Sequence, residues 1–177
     1  QAEVAAEVAQ ALAERHGRSI LQHRLKDGTL RTVEMYSSPY HFDKRLALYS
    51  IIHDITERIE AERELREAAT VFESTAEAIM ITDANGVIKR INQAFVAMTG
   101  YSAAEILGQT PRLLKSGQHD NAFYQGMWEK LKAAGRWEGE IWNRRKNGEI
   151  FPVWQINSTV KDGQGKAVGF VSLFIDI

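Results

Sequence analysis

Cysteine is absent from the 177 residues, which excludes disulfides, thiolate metal sites, iron–sulfur clusters and any cysteine nucleophile. No sign of charge dominates: 22 basic side chains face 23 acidic ones, a net charge of -1. Non-specific binding to nucleic acid needs a strong basic excess, so no nucleic-acid partner is expected. No apolar run approaches the roughly 18 residues of a membrane-spanning helix, and no signal-peptide pattern opens the chain. The expectation is a cytoplasmic chain without a membrane segment. His16, His23, His41 and His53 are scattered without metal-ligand spacing, and no metal site is expected. A nucleophile elbow, a phosphate-cradling glycine loop and a zinc-protease helix are all missing, so an enzyme is not expected. What remains is ordinary: at 44% hydrophobic and 25% charged, the chain has the composition of a globular fold.

A long internal repeat organises the chain. The stretch from Lys26 to Ile55, KDGTLRTVEMYSSPYHFDKRLALYSIIHDI, resembles that from Lys146 to Ile177, KNGEIFPVWQINSTVKDGQGKAVGFVSLFIDI. The offset is 120 residues at the start and 122 at the end. Carried backward, it lays the alanine-rich, helical Val4–Arg15 over Tyr124–Gly135. Such an offset is a domain length rather than a solenoid period. The division that follows is the last part of a first domain over 1–55 (a helix and three strands), a linker helix over 56–72, and a complete second domain over 73–177.

Within the second domain, Ala78–Thr82 and Val87–Ile91 flank Asp83-Ala84-Asn85-Gly86, a hairpin signal. Short helices are predicted around Gln93–Met98 and Ala103–Leu107, each followed by a glycine. Phe123, Met127, Leu131 and Ala134 recur at three-to-four spacing and predict an amphipathic helix over Asn121–Ala134. Three long strands follow, with turns at Asn147-Gly148 and Asp162–Gly165. The fold class is α+β, with helices packed on one face of an antiparallel five-stranded sheet.

Between the copies, Asp54 and Glu57 have capping-box spacing and predict a helix start. Ala61, Leu65, Ala68 and Phe72 then fall at 4-3-4 spacing, the pattern of a short coiled-coil seam and of a parallel homodimer. A solvated connector helix is the alternative.

In this order and spacing the residues resemble a PAS domain. The matching motifs are Ile79-Met80-Ile81-Thr82-Asp83, Asn85-Gly86, Ile91-Asn92-Gln93-Ala94-Phe95, Met98-Thr99-Gly100-Tyr101-Ser102, Glu105-Ile106-Leu107-Gly108, Arg144-Arg145-Lys146-Asn147-Gly148 and Asp176-Ile177. Arg18–Ile55 resembles the last three strands of another copy, and His53-Asp54-Ile55-Thr56 its exit motif. The resemblance implies a sensory module of a bacterial signal-transduction protein. Its signal would pass through dimeric linker helices to a kinase or cyclic-di-nucleotide enzyme outside this chain, with Asp54, Thr56, Leu65 and Asp176 on the relay. The chain is expected to be a fragment of such a protein.

Strand parity assigns the pocket. Trp137, Gly139, Ile141 and Asn143 share one face of their strand; Glu138, Glu140, Trp142 and Arg144 share the more charged, outward one. With Phe151 inward, Val153, Gln155 and Asn157 are inward too. Amides aimed into an apolar pocket need partners, supplied either by a planar hydrogen-bonding ligand or by ordered water. The second copy also resembles the FAD-binding PAS domains of bacterial redox sensors, on Met127-Trp128 and Asn143-Arg144-Arg145-Lys146. That resemblance implies Trp128 packed near a flavin and Asn143 bonded to its ring, with Trp137, Ile141, Gln155, Asn157 and Asn92 completing the cofactor set. Pro111 stands where those domains carry a glutamate. On residues alone, Trp128 is also a core anchor at helical spacing with Tyr124 and Leu131.

Two further outcomes stay open. Oxygen-sensing haem PAS domains place an iron ligand near the position of His119-Asp120, which makes haem the less favoured cofactor. The chain also has a reading with no cofactor at all, as a ligand-free interaction module docking through Trp142 and Trp154. A light sensor working through a cysteinyl adduct is excluded by the missing thiol.

Overall fold

The computed structural model describes residues 17–43 and 45–177. The helix expected over Val4–Arg15 lies outside the described residues. The chain divides into two compact units, one ending at Glu67 and the other starting at Ala68, and each is described by itself.

The first unit holds β1 (Gly17–Arg24), β2 (Leu30–Phe42) and β3 (Arg45–Asp54) in one antiparallel sheet of order β1-β2-β3. Gly28, in the left-handed region at φ 90°, closes the first turn, and Asp27 Oδ1 accepts the Thr29 N–H at 2.9 Å. Short polar side chains of this kind favour turns by bonding the backbone two residues on.

Helix α1 (Thr56–Ser74) begins where the exit motif predicts. The device differs from the expected capping box: Asp54 Oδ1 accepts the N–H of Thr56 at 3.0 Å, and the Ile55 carbonyl accepts the first helical bond, from Ile59, at 3.0 Å. Thr56 Oγ1 accepts the Thr32 N–H at 2.9 Å, fastening the helix start to β2. Leu65 is 72% exposed, so nothing within the first unit covers the seam position.

The second unit contains β4 (Ala78–Asp83), β5 (Ile88–Ile91), α2 (Gln93–Thr99), α3 (Ala103–Ile106), a 3-10 turn (Pro111–Leu114), α4 (Asn121–Ala134), β6 (Arg136–Arg144), β7 (Ile150–Lys161) and β8 (Ala167–Asp176). All five strands are antiparallel, in the order β5-β4-β8-β7-β6. This is the predicted α+β sheet with helices. Asp83 Oδ1 accepts the N–H groups of Asn85 and Val87 and shapes the β4–β5 turn. Asp120 caps α4 by accepting the Phe123 N–H at 2.8 Å, and Gly135 ends it at φ 72°, a conformation glycine adopts without a Cβ penalty. The core joins Met80, Phe95, Ile106, Leu131, Val153 and Phe174, all buried. Phe95 meets Phe174 edge to face, ring centroids 5.5 Å apart. Burying each such side chain stabilises the fold by about 1.5–3 kcal/mol.

The two sheets share a pairing register. Val33 pairs Asp54 as Val153 pairs Asp176; Met35 pairs Ile52 as Gln155 pairs Phe174; Ser37 pairs Ser50 as Asn157 pairs Ser172. Gly17 pairs Ser37 as Trp137 pairs Asn157. The sequence offsets of 120 and 122 residues are thus kept strand by strand.

Candidate functional site

A cavity of about 590 Å³ lies in the second unit between the sheet, the 3-10 turn and α4. Met80, Ile141, Asn143, Gln155 and Phe174 line it from the sheet; Thr110, Pro111, Leu114 and Lys115 line it from the turn; Tyr124, Met127 and Trp128 line it from α4. Exposed Arg112, Asn121 and Gln125 line its outer end. Its volume falls within the range of about 300–1,000 Å³ usual for small-molecule sites, and its mostly apolar wall with a few polar groups is equally usual.

Strand alternation delivers the predicted inward set. Trp137, Ile141 and Asn143 on β6 and Phe151, Val153, Gln155 and Asn157 on β7 are all buried, while Glu138, Glu140, Trp142 and Arg144 face outward. Of the expected cofactor residues, four line the cavity: Trp128, Ile141, Asn143 and Gln155. Asn143 Nδ2 is buried and has no partner; among the described residues no other buried side-chain nitrogen or oxygen is left so. An orphaned buried donor costs about 1–3 kcal/mol. Trp128 is 36% exposed and meets Phe170 edge to face at 5.2 Å, so it walls the cavity rather than anchoring a sealed core.

The other three expected residues do not line the cavity. Trp137 is buried, but its ring lies over Gly139, where an added Cβ would come within 2.9 Å of it. Asn157 accepts from Gln155 Nε2 at 2.8 Å and donates to the Met127 sulfur at 3.5 Å, so the two amides meet part of their demand through each other. Asn92 caps α2 and knots four segments together. Its Oδ1 accepts the N–H groups of Phe95 and Ile79, and its Nδ2 donates to the carbonyls of Phe72 and Glu77. All its donors are spent on backbone, which makes it structural.

His119 is likewise placed away from the cavity lining. Its Nε2 accepts the Trp142 N–H at 3.0 Å, and its ring stacks on Phe123 at 4.0 Å. Ser116 Oγ donates to the Trp142 carbonyl at 2.6 Å, and Lys115 bridges Asn143. Residues 115–119 therefore close the outer edge of β6, and the nitrogen that a haem iron would need is already an acceptor. No cluster of metal-ligating side chains occurs among the described residues.

Charge around the cavity is modest. The Lys115 ammonium sits 3.9 Å from the centre of the Tyr124 ring, and burial pushes the Tyr124 hydroxyl above its ordinary value. Asp54 and Leu65 are exposed, whereas Thr56 is buried. The Asp54 carboxyl is held below its ordinary value by its bonds to Thr56 and by nearby Arg31, and Asp176 is exposed at the end of β8.

The sheet order, the capped helices and the cavity between helix and sheet coincide with a family pattern: the PAS domain family model matches residues 76–177. The chain belongs to the PAS domain family. A nitrogen fixation regulatory protein of Klebsiella oxytoca is 37% identical over 108 residues, covering 61% of this chain and 22% of that protein. The aerotaxis receptor of Escherichia coli is 33% identical over 92 residues, covering 52% of this chain and 18% of the receptor. The crystal structure of a PAS domain from Colwellia psychrerythraea matches with a TM-score of 0.61 at 24% identity, over 64% of this chain and 97% of that domain. The chain thus spans about a fifth of the length of these curated relatives, and its PAS domain is of the sensory and regulatory kind. No helix among the described residues is long and apolar enough to cross a membrane.

The residues missed from sequence include Met80, Thr110, Leu114, Lys115, Tyr124 and Phe174. Met80 and Phe174 were readable from β-strand parity. Thr110 and Lys115 flank a 3-10 turn whose only sequence signal is Pro111 at its first position, a favoured place for proline.

Proposed function

We propose that this chain is the sensory part of a cytoplasmic bacterial signal-transduction protein, and that its PAS cavity holds a planar hydrogen-bonding ligand, with FAD the cofactor that fits best. The observation that carries the reading is the orphaned Asn143 Nδ2, a buried donor on the wall of the 590 Å³ cavity. A ring system with acceptor atoms removes that cost. Asn143 and Gln155 would bond the ring, Ile141 and Met80 would contact its faces, and Trp128 would close its side. A bound flavin supplies reversible reduction. The taxis toward air in the name of the aerotaxis receptor suits such a sensor.

The first unit is read as the sheet of a second PAS copy, on the shared register of β1–β3 and β6–β8. Helix α1 is read as the relay and as one strand of a parallel homodimer, because Leu65 is 72% exposed in the seam. Its output would be a kinase or cyclic-di-nucleotide enzyme elsewhere in the longer protein; the chain itself senses rather than catalyses. A ligand-free docking module through the outer sheet face is the second reading, favoured by Trp142 and Trp154, which are 37% and 40% exposed.

The test is an absorption spectrum of the freshly purified chain before and after chemical reduction. Flavin bands that bleach on reduction and vanish in Asn143→Leu support the reading; a colourless wild-type protein removes FAD. For the relay, Leu65→Glu is expected to convert a sedimenting dimer to monomer.

A further inference from the structure

Side chains finish the outer edge of β6. Trp142 stands opposite Pro152, which has no N–H to exchange. The pair is therefore a non-hydrogen-bonded one, and the N–H and C=O of Trp142 turn away from β7. Both are taken by the segment that leads on from the cavity wall: Ser116 Oγ donates to the carbonyl at 2.6 Å, and His119 Nε2 accepts the N–H at 3.0 Å. One residue along β6, Lys115 forms a single β-bridge with Asn143. The clasp on Trp142 is thus contiguous with the buried residue whose Nδ2 has no partner.

A ring nitrogen accepts an N–H only through its lone pair. With Nε2 as the acceptor, His119 is neutral and its proton sits on Nδ1. Phe123 stacks on the ring, centroids 4.0 Å apart, and Tyr124 meets its edge at 6.2 Å, so the ring is held where it is. A proton added at Nε2 sets two donors face to face, and the bond to Trp142 is lost. The β6 edge then keeps only Ser116 and the Lys115 bridge. The titratable and charged groups on the elements packed around the ring are Lys115 ahead of it, Asp120 and Tyr124 at α4, and Glu140 and Arg144 on β6. Asp120 binds the Phe123 N–H, Glu140 binds the Trp142 indole N–H at 2.8 Å, and Lys115 lies over the Tyr124 ring. Of these side-chain types, histidine alone ordinarily changes charge between about pH 5 and 8. The other four histidines all lie at or before His53, so a change in that window within the PAS domain belongs to His119.

Resting on the reading of Asn143 as the donor to a ligand, we infer that His119 is a proton-sensitive positioning residue for the cavity. When neutral, it fixes the backbone at Trp142 and Asn143, and with it the aim of the Asn143 amide. When protonated, it frees that stretch of β6, and the wall formed by Thr110, Pro111, Leu114 and Lys115 loosens with the bridge. The cavity therefore holds its ligand at a pH where the imidazole is neutral and releases it where the imidazole is charged. Histidine serves in this way wherever a neighbouring bond depends on one of its two nitrogens.

The experiment is a pH titration of the isotope-labelled full chain followed by NMR. It reads the Trp142 backbone N–H, the Asn143 side-chain NH2 (identified by its loss in Asn143→Leu) and, as a fixed reference, the Asn92 side-chain NH2. The Trp142 and Asn143 signals are expected to move with one midpoint between about pH 5 and 8, while Asn92 stays still. Exchange of the Trp142 N–H, corrected for its intrinsic dependence on pH, is expected to rise at least about tenfold across the same window. His119→Gln offers a carbonyl acceptor that does not titrate, and is expected to remove both movements and keep Trp142 protected throughout. His119→Ala is expected to show the low-pH positions at every pH. A Trp142 signal that does not titrate in the wild type overturns the inference, as does a titration that persists in His119→Gln. Movement of Trp142 without Asn143 also overturns it, because the clasp would then fasten the edge without reaching the cavity. None of these readouts uses a ligand, so failure of the His119 clasp is separable from failure of the cavity as a ligand site.

Discussion

Strands β1–β3 and β6–β8 are laid out in one register, yet Ile52 is 50% exposed where its counterpart Phe174 is 2% exposed. The difference lies in what covers the sheet. In the PAS domain, β4 fills the edge of β8, and α2 and α4 pack on the inner face through Phe95, Met127 and Leu131. In the first unit the described residues supply no such cover. Register is set by the alternation of the strands and by turn geometry, as at Asp27-Gly28 for β1–β2 and Asn147-Gly148 for β6–β7, whereas burial is set by distant parts of the chain. A cavity belongs to the second kind of information: it exists only where helices stand off a sheet, leaving an unpaired Asn143 between them.

The largest expected effect that tests this contrast is at the paired positions themselves. Phe174→Ala opens a hole in a closed core and is expected to destabilise the PAS domain by about 3–5 kcal/mol. Ile52→Ala, at a half-covered site, is expected to leave that transition unmoved. All four tryptophans lie beyond residue 127, so tryptophan fluorescence in a urea titration follows the PAS domain alone. Equal shifts from the two variants would erase the distinction.

Next in size are the two buried asparagines, Asn92 at 1% and Asn143 at 6% exposure. Asn92→Ala strands two N–H groups and two carbonyls and is expected to cost about 3 kcal/mol. Asn143→Leu removes a donor that has no partner and is expected to change the stability of the ligand-free domain by no more than about 1 kcal/mol, while abolishing ligand binding. A large loss of ligand-free stability in Asn143→Leu would mean that its amide is structural after all.

The smallest effect is at the exposed Glu105, whose carboxyl is held down to about 2 by the Lys146 ammonium and by the N–H and O–H of Ser102. Because the folded value lies below the ordinary carboxylate value, its contribution is present above about pH 4.5 and is lost as pH falls toward 2. Glu105→Gln should therefore flatten the acid limb of thermal stability slightly in that window. An unchanged limb would show that solvent screens the pair completely.

Much of the PAS domain was legible because its signals are local. The helix over Asn121–Ala134 follows from apolar spacing and from Asp120 and Gly135 at its ends; the inward faces of β6 and β7 follow from alternation. The site was half legible. Parity identifies which amides turn inward, but not that Gln155 and Asn157 bond each other, that Trp137 folds back over Gly139, or that Asn92 spends its amide on four backbone groups. Those outcomes depend on neighbours more than 10 residues away, or on rotamers, and neither is encoded in strand period. His119 shows the same limit: its place before α4 fits an iron ligand, and only the assembled sheet shows its nitrogen committed to β6.

The most direct test of the central claim is native mass spectrometry of the purified chain beside Asn143→Leu. The account expects the wild-type chain to carry an organic ligand above its 20.0 kDa polypeptide mass, released on denaturation and missing from Asn143→Leu. A wild-type spectrum showing polypeptide alone, matching that of the variant, would contradict the cavity as a ligand site.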